Sequence, residues 1–471
     1  MDRNVLNGIS FVALLTALIL YNWRANVGVR STKSLVIGIM SARNHFEQRE
    51  AARKTWLTSR IKNETLLERF SVKFIIGDTG CNVHPQNRKD MYSCSRMLFE
   101  ERNQYSDLLL LTTTPSFGGE IGYTWNISFN VHHPVIVKRL GIHRSVIPAT
   151  ESVTVCLYDY FREEIVSSAT FTSTDSGILA SSYWYHSIEP MLLPKDFQGS
   201  LKILGKFDIP QMQGNETSIN NSAGTVTVSY LDLNGFKVDS LPSLVLPSWI
   251  MTISEIDAFK SRLLNQDQLD KIQIAKEKEI KEKLDLEAAS NKDIVFVNSI
   301  DVYRNLPEKV LQFHKWVHWQ EPAAFIMKTD DDCFVDVEAI MGMLDHLKRN
   351  ENIWLGNFRH DWYVERYGKW AEPVYRSLEY PAFACGSGNI VSQDISAWLG
   401  GNMDYLHRYQ GEDTSMGIWL SAIGPKYHMD TRFMCDKTCR SDAFVIPELT
   451  PEEITNFWNN KQSCQNICGC E

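Results

Sequence analysis

The stretch FIMKTDDDCFVDV, residues 325–337, ends an apolar run in three consecutive aspartates, Asp330, Asp331 and Asp332. Neighbouring carboxylates repel, and more strongly where water is excluded. If the strand implied by the apolar run continues through the acids, Asp330 and Asp332 share one face and Asp331 takes the other. At the C-terminal end of a parallel strand, such a face looks onto the ligand-binding edge of a sheet. Carboxylate oxygens suit hard divalent cations, Mn2+ or Mg2+. A cation there would relieve the repulsion and leave coordination positions for a diphosphate. The competing assignment is an acidic turn capping a helix that starts near Val337.

Three other groups could share that chemistry. Arg49, Arg53 and Trp56 fall at i, i+4 and i+7 and therefore on one helix face. Two arginines on one face can hold phosphate, or they can bridge acids such as Glu47 and Glu50. In YPAFACGSGNIVS, Gly386 and Gly388 would let backbone approach a ligand, or mark a strand bulge. In YQGEDTSMG, Glu412 and Asp413 open a helix, where acids suit the dipole and where one could act as a general base. Trp370 in YGKW could stack on a ring, although with 13 tryptophans in the chain core packing is the default for each.

The elements that must position these groups follow from periodicity. Residues 34–116 and 291–471 alternate short apolar runs with helical patterns, the grammar of a mostly parallel α/β sheet. Residues 117–255 are rich in Val, Ile, Thr and Tyr with closely spaced turns, which predicts an inserted antiparallel β-sandwich. Residues 256–290 read as a charged, solvated connector helix. The fold class expected is therefore α/β, with a catalytic domain interrupted by a β-sandwich.

The apolar segment 5–23 has the length of one membrane span, preceded by a tail of residues 1–4 and followed by a short stem, 24–33. No small-x-small cleavage site follows, so an uncleaved signal anchor is expected. Arg24, Arg30 and Lys33 outnumber Arg3, which by the positive-inside rule opposes a luminal C-terminus. The ten cysteines favour the lumen, because Cys81 and Cys94, Cys435 and Cys439, and Cys464, Cys468 and Cys470 are spaced as disulfides. Zinc is the minority reading of the tail, and Cys156 reads as a buried free thiol. Glycosylation sequons stand at Asn63, Asn126, Asn215 and Asn220. A net charge of −9 argues against a nucleic-acid surface.

The order of these motifs is more specific than any one of them. R-x3-R-x-T-W, KTDDDCFVD, YPAFACGSG and GEDTSMG, with the block DIVFVNSIDVYRNLPEKVLQFHKW, resemble the β-1,3-glycosyltransferase family over residues 34–80 and 285–440. The resemblance implies a Rossmann-like A-type glycosyltransferase domain with an inverting, metal-dependent mechanism. It implies a UDP-sugar donor, specifically UDP-GalNAc, and the 3-OH of a terminal β-GlcNAc as acceptor on glycoproteins, including O-mannosyl glycans of α-dystroglycan. UDP-Gal or UDP-GlcNAc as donor, and an inactive lectin-like or partner protein, are the alternatives. By the resemblance Asp332 and Asp330 hold Mn2+ or Mg2+, with His428 a further candidate ligand. Arg49, Arg53, Trp56, Asp330 and Asp331 face the donor, while Trp370, Gly386, Gly388 and Glu412 line the acceptor side. Asp413 is the base. The insert resembles a carbohydrate-binding jelly roll, and Asn389 stands where family members often carry an aromatic. A single-pass type II protein of the Golgi or endoplasmic reticulum, with its catalytic domain in the lumen, is the implied setting.

Overall fold

The computed structural model describes residues 33–58, 68–99, 108–110, 112–113, 119–121, 125–144, 152–180, 183–205, 207–209, 218–219, 222–232, 247–347, 351–365, 369–372 and 374–470. The chain opens with β1 (Lys33–Met40), α1 (Phe46–Lys54) and β2 (Phe70–Thr79). It returns to the same body through α2 (Ile256–Asn291), then β3 (Ile294–Ile300), α3 (Leu306–Gln320), β4 (Ala323–Asp330) and α4 (Val337–Asp345). There follow β5 (Ile353–Arg359), β6 (Phe383–Ser392), α5 (Gln393–Gly401), α6 (Glu412–Ser421), β7 (Lys426–Met429) and α7 (Pro451–Cys464).

These strands form one seven-stranded sheet in the order β3-β2-β1-β4-β6-β5-β7. β1 is parallel to β2 and β4, whereas β6 runs antiparallel to β4 and β5. β1 is apolar almost throughout because both faces are covered. Leu35, Ile37 and Ile39 enter a core shared with Ile340 of α4 and Ile454 of α7. Val36 and Met40 enter the opposite core with Phe313 of α3, Leu399 of α5 and Leu420 of α6. The period of two along the strand thus serves two separate cores.

Between β2 and α2 lie two five-stranded antiparallel sheets. One contains Leu108–Leu110, Val135–His143, Ile178–Ala180, Tyr183–Leu193 and Ser248–Ile253. The other contains Trp125–Val131, Val153–Asp159, Glu164–Phe171, Gln198–Leu204 and Val226–Asp232. Their inward residues make a single apolar cluster, in which Phe129 and Trp249 meet edge to face at 4.6 Å. Leu108–Leu110 pairs with Trp249–Met251, so the insert begins before residue 117.

α2 is more than a solvated connector. Its polar face is exposed, yet Phe259 is fully buried in the insert's core, and Glu277 and Glu287 pair with Arg43 and Arg49 of the α/β body. The disulfides join Cys81 to Cys94, Cys385 to Cys435, Cys439 to Cys468, and Cys464 to Cys470. All the tail cysteines are therefore paired. Cys435 takes Cys385 rather than its sequence neighbour Cys439. Cys156 and Cys333 are buried thiols. The 5–23 segment and sequons Asn63, Asn215 and Asn220 lie outside the described residues, as does the side chain of Asn126. Among the described residues no helix is long and apolar enough to cross a membrane.

Candidate active site

β4 stops at Asp330, and Asp331–Asp332 form a turn before the short strand Phe334–Val335. The expected alternation of faces through the triplet therefore does not hold, and all three acids line one cleft of about 550 Å³. The triplet does not cap α4 either. Asp336 performs that role, its carboxylate accepting from the Ala339 N–H at 3.1 Å.

Each acid has a distinct environment. Asp330 is held by the buried ammonium of Lys328, 2.9 Å from Oδ1 and 3.0 Å from Oδ2. Lys328 Nζ also donates to the Gly386 carbonyl at 2.5 Å and to Glu412 Oε1 at 2.8 Å. Burial works against its charge, but Asp330 and Glu412 together hold its proton well above the ordinary lysine range. The Asp330 carboxyl is pushed upward by burial and by the nearby Glu412 and Asp332, against the pull of Lys328. Asp331 is almost fully buried and pairs with His45 Nδ1 at 2.9 Å, which raises the His45 pKa. Asp332 is raised by burial and by Asp331; its carboxylate accepts from the Cys333 thiol at 3.6 Å.

Glu412 and Asp413 occupy the first turn of α6, after Gly411. A Cβ at Gly411 would sit 2.7 Å from Asp413 Oδ1, and one at Gly386 would sit 3.1 Å from Glu412 Oε1, so both glycines make room for the acids. Burial and the Glu412 charge push the Asp413 carboxyl up to about 7. That is the range in which a carboxylate can accept a proton at neutral pH. Tyr303 lies close by; burial and Glu412 raise its phenol to about 12, and its side chain is hydrogen-bonded to Trp370. Trp370, half exposed, lines the cleft as expected, as do Gly386 and Glu412.

Other expected site residues lie elsewhere. Arg49 is fully buried and Arg53 partly buried, and neither lines the cleft. Both bind Glu287 of α2, and Arg53 also binds Asp293. Arg49 further donates to Ser41 Oγ at 2.8 Å and to the Ala42 carbonyl at 2.6 Å, fixing the β1–α1 turn whose residues do line the cleft. Trp56 is a core residue. Gly388 faces Val445, Phe433 and Met327 in the core. Asn389 is buried, accepting from the Trp354 indole at 3.1 Å. His428 sits on edge strand β7, away from the cleft lining.

Several residues that line the cleft or support it from beneath escaped the sequence reading. Lys328 carried a signal: a lysine two places before Asp330, within an otherwise apolar strand, must share its face. His45, Asp301 and Lys309 carried weaker ones. Lys309, buried, donates to Asp301 Oδ1 at 2.6 Å and to the Ser41 carbonyl at 3.0 Å. Among the described residues, no three His, Cys, Asp or Glu side chains converge as a metal-ligating set. Asp332 and Asp330 place hard oxygen donors in the cleft lining, a donor type that suits a divalent ion.

Residues 272–431 match the galactosyltransferase family. The chain belongs to that family, and it is a β-1,3-glycosyltransferase that joins a sugar donor to a glycan acceptor. It is 35% identical over 458 residues to UDP-GalNAc:beta-1,3-N-acetylgalactosaminyltransferase 2 of Xenopus tropicalis, an alignment spanning 93% of this chain and 91% of that one. The Homo sapiens protein of that name is 35% identical over 453 residues, spanning 93% of this chain and 89% of its own. Beta-1,3-galactosyltransferase 6 of Mus musculus is 29% identical over 178 residues, covering 36% of this chain and 55% of its own.

Proposed function

We propose that the chain transfers GalNAc from UDP-GalNAc to the 3-OH of a terminal β-GlcNAc on protein-linked glycans, with inversion at the anomeric carbon. O-mannosyl glycans of α-dystroglycan are the acceptors suggested by the sequence resemblance. The observation that carries the reading is one cleft with two kinds of carboxylate. Asp332 and Asp330 stand at the end of β4, and Asp413, with its raised pKa, stands at the start of α6.

The residues divide the work. Asp413 takes the proton from the acceptor hydroxyl as that oxygen attacks the anomeric carbon from the side opposite UDP. A single displacement needs one base and no side-chain nucleophile. Lys328 and Gly386 keep the acids of β4 and α6 in register. The turn Ser41–His45, braced by Arg49, lines the donor side. Trp370 offers an indole face to the accepting sugar. Asp332, with Asp330, would hold Mn2+ or Mg2+, which when bound supplies positive charge for the departing diphosphate.

The relatives' name supports UDP-GalNAc as the donor. The insert is read as a carbohydrate-binding-type sandwich on an A-type glycosyltransferase domain. The apolar segment 5–23 is read as the anchor of a type II protein of the Golgi or endoplasmic reticulum membrane. The test is the full chain in detergent, incubated with UDP-GalNAc, UDP-Gal or UDP-GlcNAc, with Mn2+ and a β-GlcNAc glycoside. A β-1,3-linked GalNAc product is expected. A product from another donor alone, or sugar binding with no turnover, would replace this reading with one of its alternatives.

A further inference from the structure

The cleft is lined by the aromatic residues Tyr303, Trp362, Trp370, Tyr380 and Phe383. Trp370 lines the same cleft as the base Asp413 and is hydrogen-bonded to Tyr303. Trp362 also lines the cleft, but it follows β5. In the sheet, β5 is two strands from β4, on the side away from β1 and the turn Ser41–His45. β5 runs antiparallel to β6, as β4 does, so its C-terminal end lies at the same sheet edge as Asp330. Trp362 is therefore set on the acceptor flank, opposite the donor turn.

Trp362 is 40% exposed. Arg359 lies over the ring at 5.3 Å, and Phe383 meets it edge to face at 6.4 Å. The Asp436 carboxyl, lowered chiefly by its hydrogen bond from Thr438, also feels the Arg359 charge. Tyr363, next in sequence, is 70% exposed.

The segment carrying these groups is braced. Tyr380 N–H donates to the Trp362 carbonyl at 2.9 Å, and Val364 N–H to the Leu378 carbonyl at 2.8 Å. The buried Glu372 carboxylate accepts from Val374, Tyr375 and Gln410 N–H groups at 2.6, 2.9 and 2.7 Å. The last of these ties the segment to the strand of chain that carries Glu412 and Asp413. A fixed indole beside a guanidinium matches a pyranose ring, whose C–H face stacks on an aromatic and whose hydroxyls accept from arginine.

Resting on the acceptor reading above, we propose that Trp362 and Arg359 form a second sugar subsite. It would hold the sugar to which the accepting terminal residue is attached, so the enzyme recognises at least a disaccharide. The test compares methyl β-GlcNAc, a disaccharide with β-GlcNAc joined to a second hexose, and β-GlcNAc carried directly on a peptide. The full chain should use the disaccharide better than the monosaccharide. Trp362→Ala should lower kcat/KM for the disaccharide by about tenfold through KM, with a smaller loss for the monosaccharide. Trp362→Phe should restore much of the preference, and the KM for the donor reports whether the cleft is intact.

Equal losses on mono- and disaccharide, or an unchanged ratio, would overturn the subsite while leaving the proposed function standing. So would a loss seen with the peptide-borne sugar and not with the disaccharide. A wild-type chain silent on every β-GlcNAc acceptor would instead remove the acceptor reading, and the subsite with it.

Discussion

The α/β body and the inserted sheets bury different things. The insert's shared core is apolar throughout: Ile127, Phe129, Val137, Leu201 and Trp249 are fully enclosed. Its buried titratable groups include His132, His133 and His143, each kept neutral because burial lowers its pKa. The body instead buries charge. Arg49, Lys309, Lys328, Asp331 and Glu412 are all nearly inaccessible, and each has a partner of opposite sign. Buried pairs seldom stabilise more than well-packed hydrophobes would, but losing one partner is severe. In the body such pairs gather in and beside the cleft, whereas in the insert Asp159 is the buried carboxylate, paired with Arg162. The lesson is that the insert is arranged for stability, and the body for holding charges at fixed places.

That contrast can be broken by substitution. The largest effect is expected from Asp413→Asn. It removes the base while keeping the shape, so transfer should fall by about a thousandfold or more. Binding of UDP, followed by calorimetry, should survive. Retained turnover would return Asp413 to the role of a helix-terminal acid.

Lys328→Met strands the buried Glu412 and the partly exposed Asp330, and the body should lose about 3–5 kcal/mol in denaturant unfolding. A loss below about 1 kcal/mol would mean that Asp330 and Glu412 reach water or protons easily.

Phe129→Ala sharpens the comparison from the other side. The insert should lose about 3–5 kcal/mol through an unfilled cavity. At a temperature where the variant is folded, kcat should stay near wild type. A matching fall in kcat would show that the two regions are energetically one.

Smaller effects come with pH. Asp413 must be unprotonated to work, and its carboxyl stands at about 7. The rate should therefore fall as pH drops through neutrality, and a kcat profile flat down to pH 5 would contradict this. In the insert His132 titrates at about 4 when folded, below its ordinary 6.5. The unfolded chain thus binds the proton more readily. The stability this contributes is complete above about 6.5 and is lost as pH falls towards about 4. His132→Gln should blunt that acid sensitivity in a melting-temperature series.

Much of the site was legible in local sequence. The apolar run before Asp330 announced a buried strand, and the acids fell at its end. Gly411 followed by Glu412 and Asp413 announced a helix start with a carboxylate to spare. What could not be read was which charges meet. Arg49 and Arg53 share a helix face suited to phosphate, yet Glu287, more than two hundred residues later, takes both. Lys328 sits beside the triplet in sequence, but its bond to Glu412 crosses 84 residues. His428 and Gly388 belonged to promising motifs and were turned elsewhere by strand placement.

The sequence by itself determined the periodicities. It set two-sided burial for the parallel strands, alternation for the insert, and acids and glycines at the element ends, because these depend on backbone geometry within a few residues. Only the tertiary structure decided the partners: Asp330 with Lys328, Arg49 with Glu287, Cys385 with Cys435. The physical reason is range. Propensity and pattern act along the chain, whereas a buried charge or thiol takes whichever group the packed sheet and helices bring within a few ångströms, however distant in sequence.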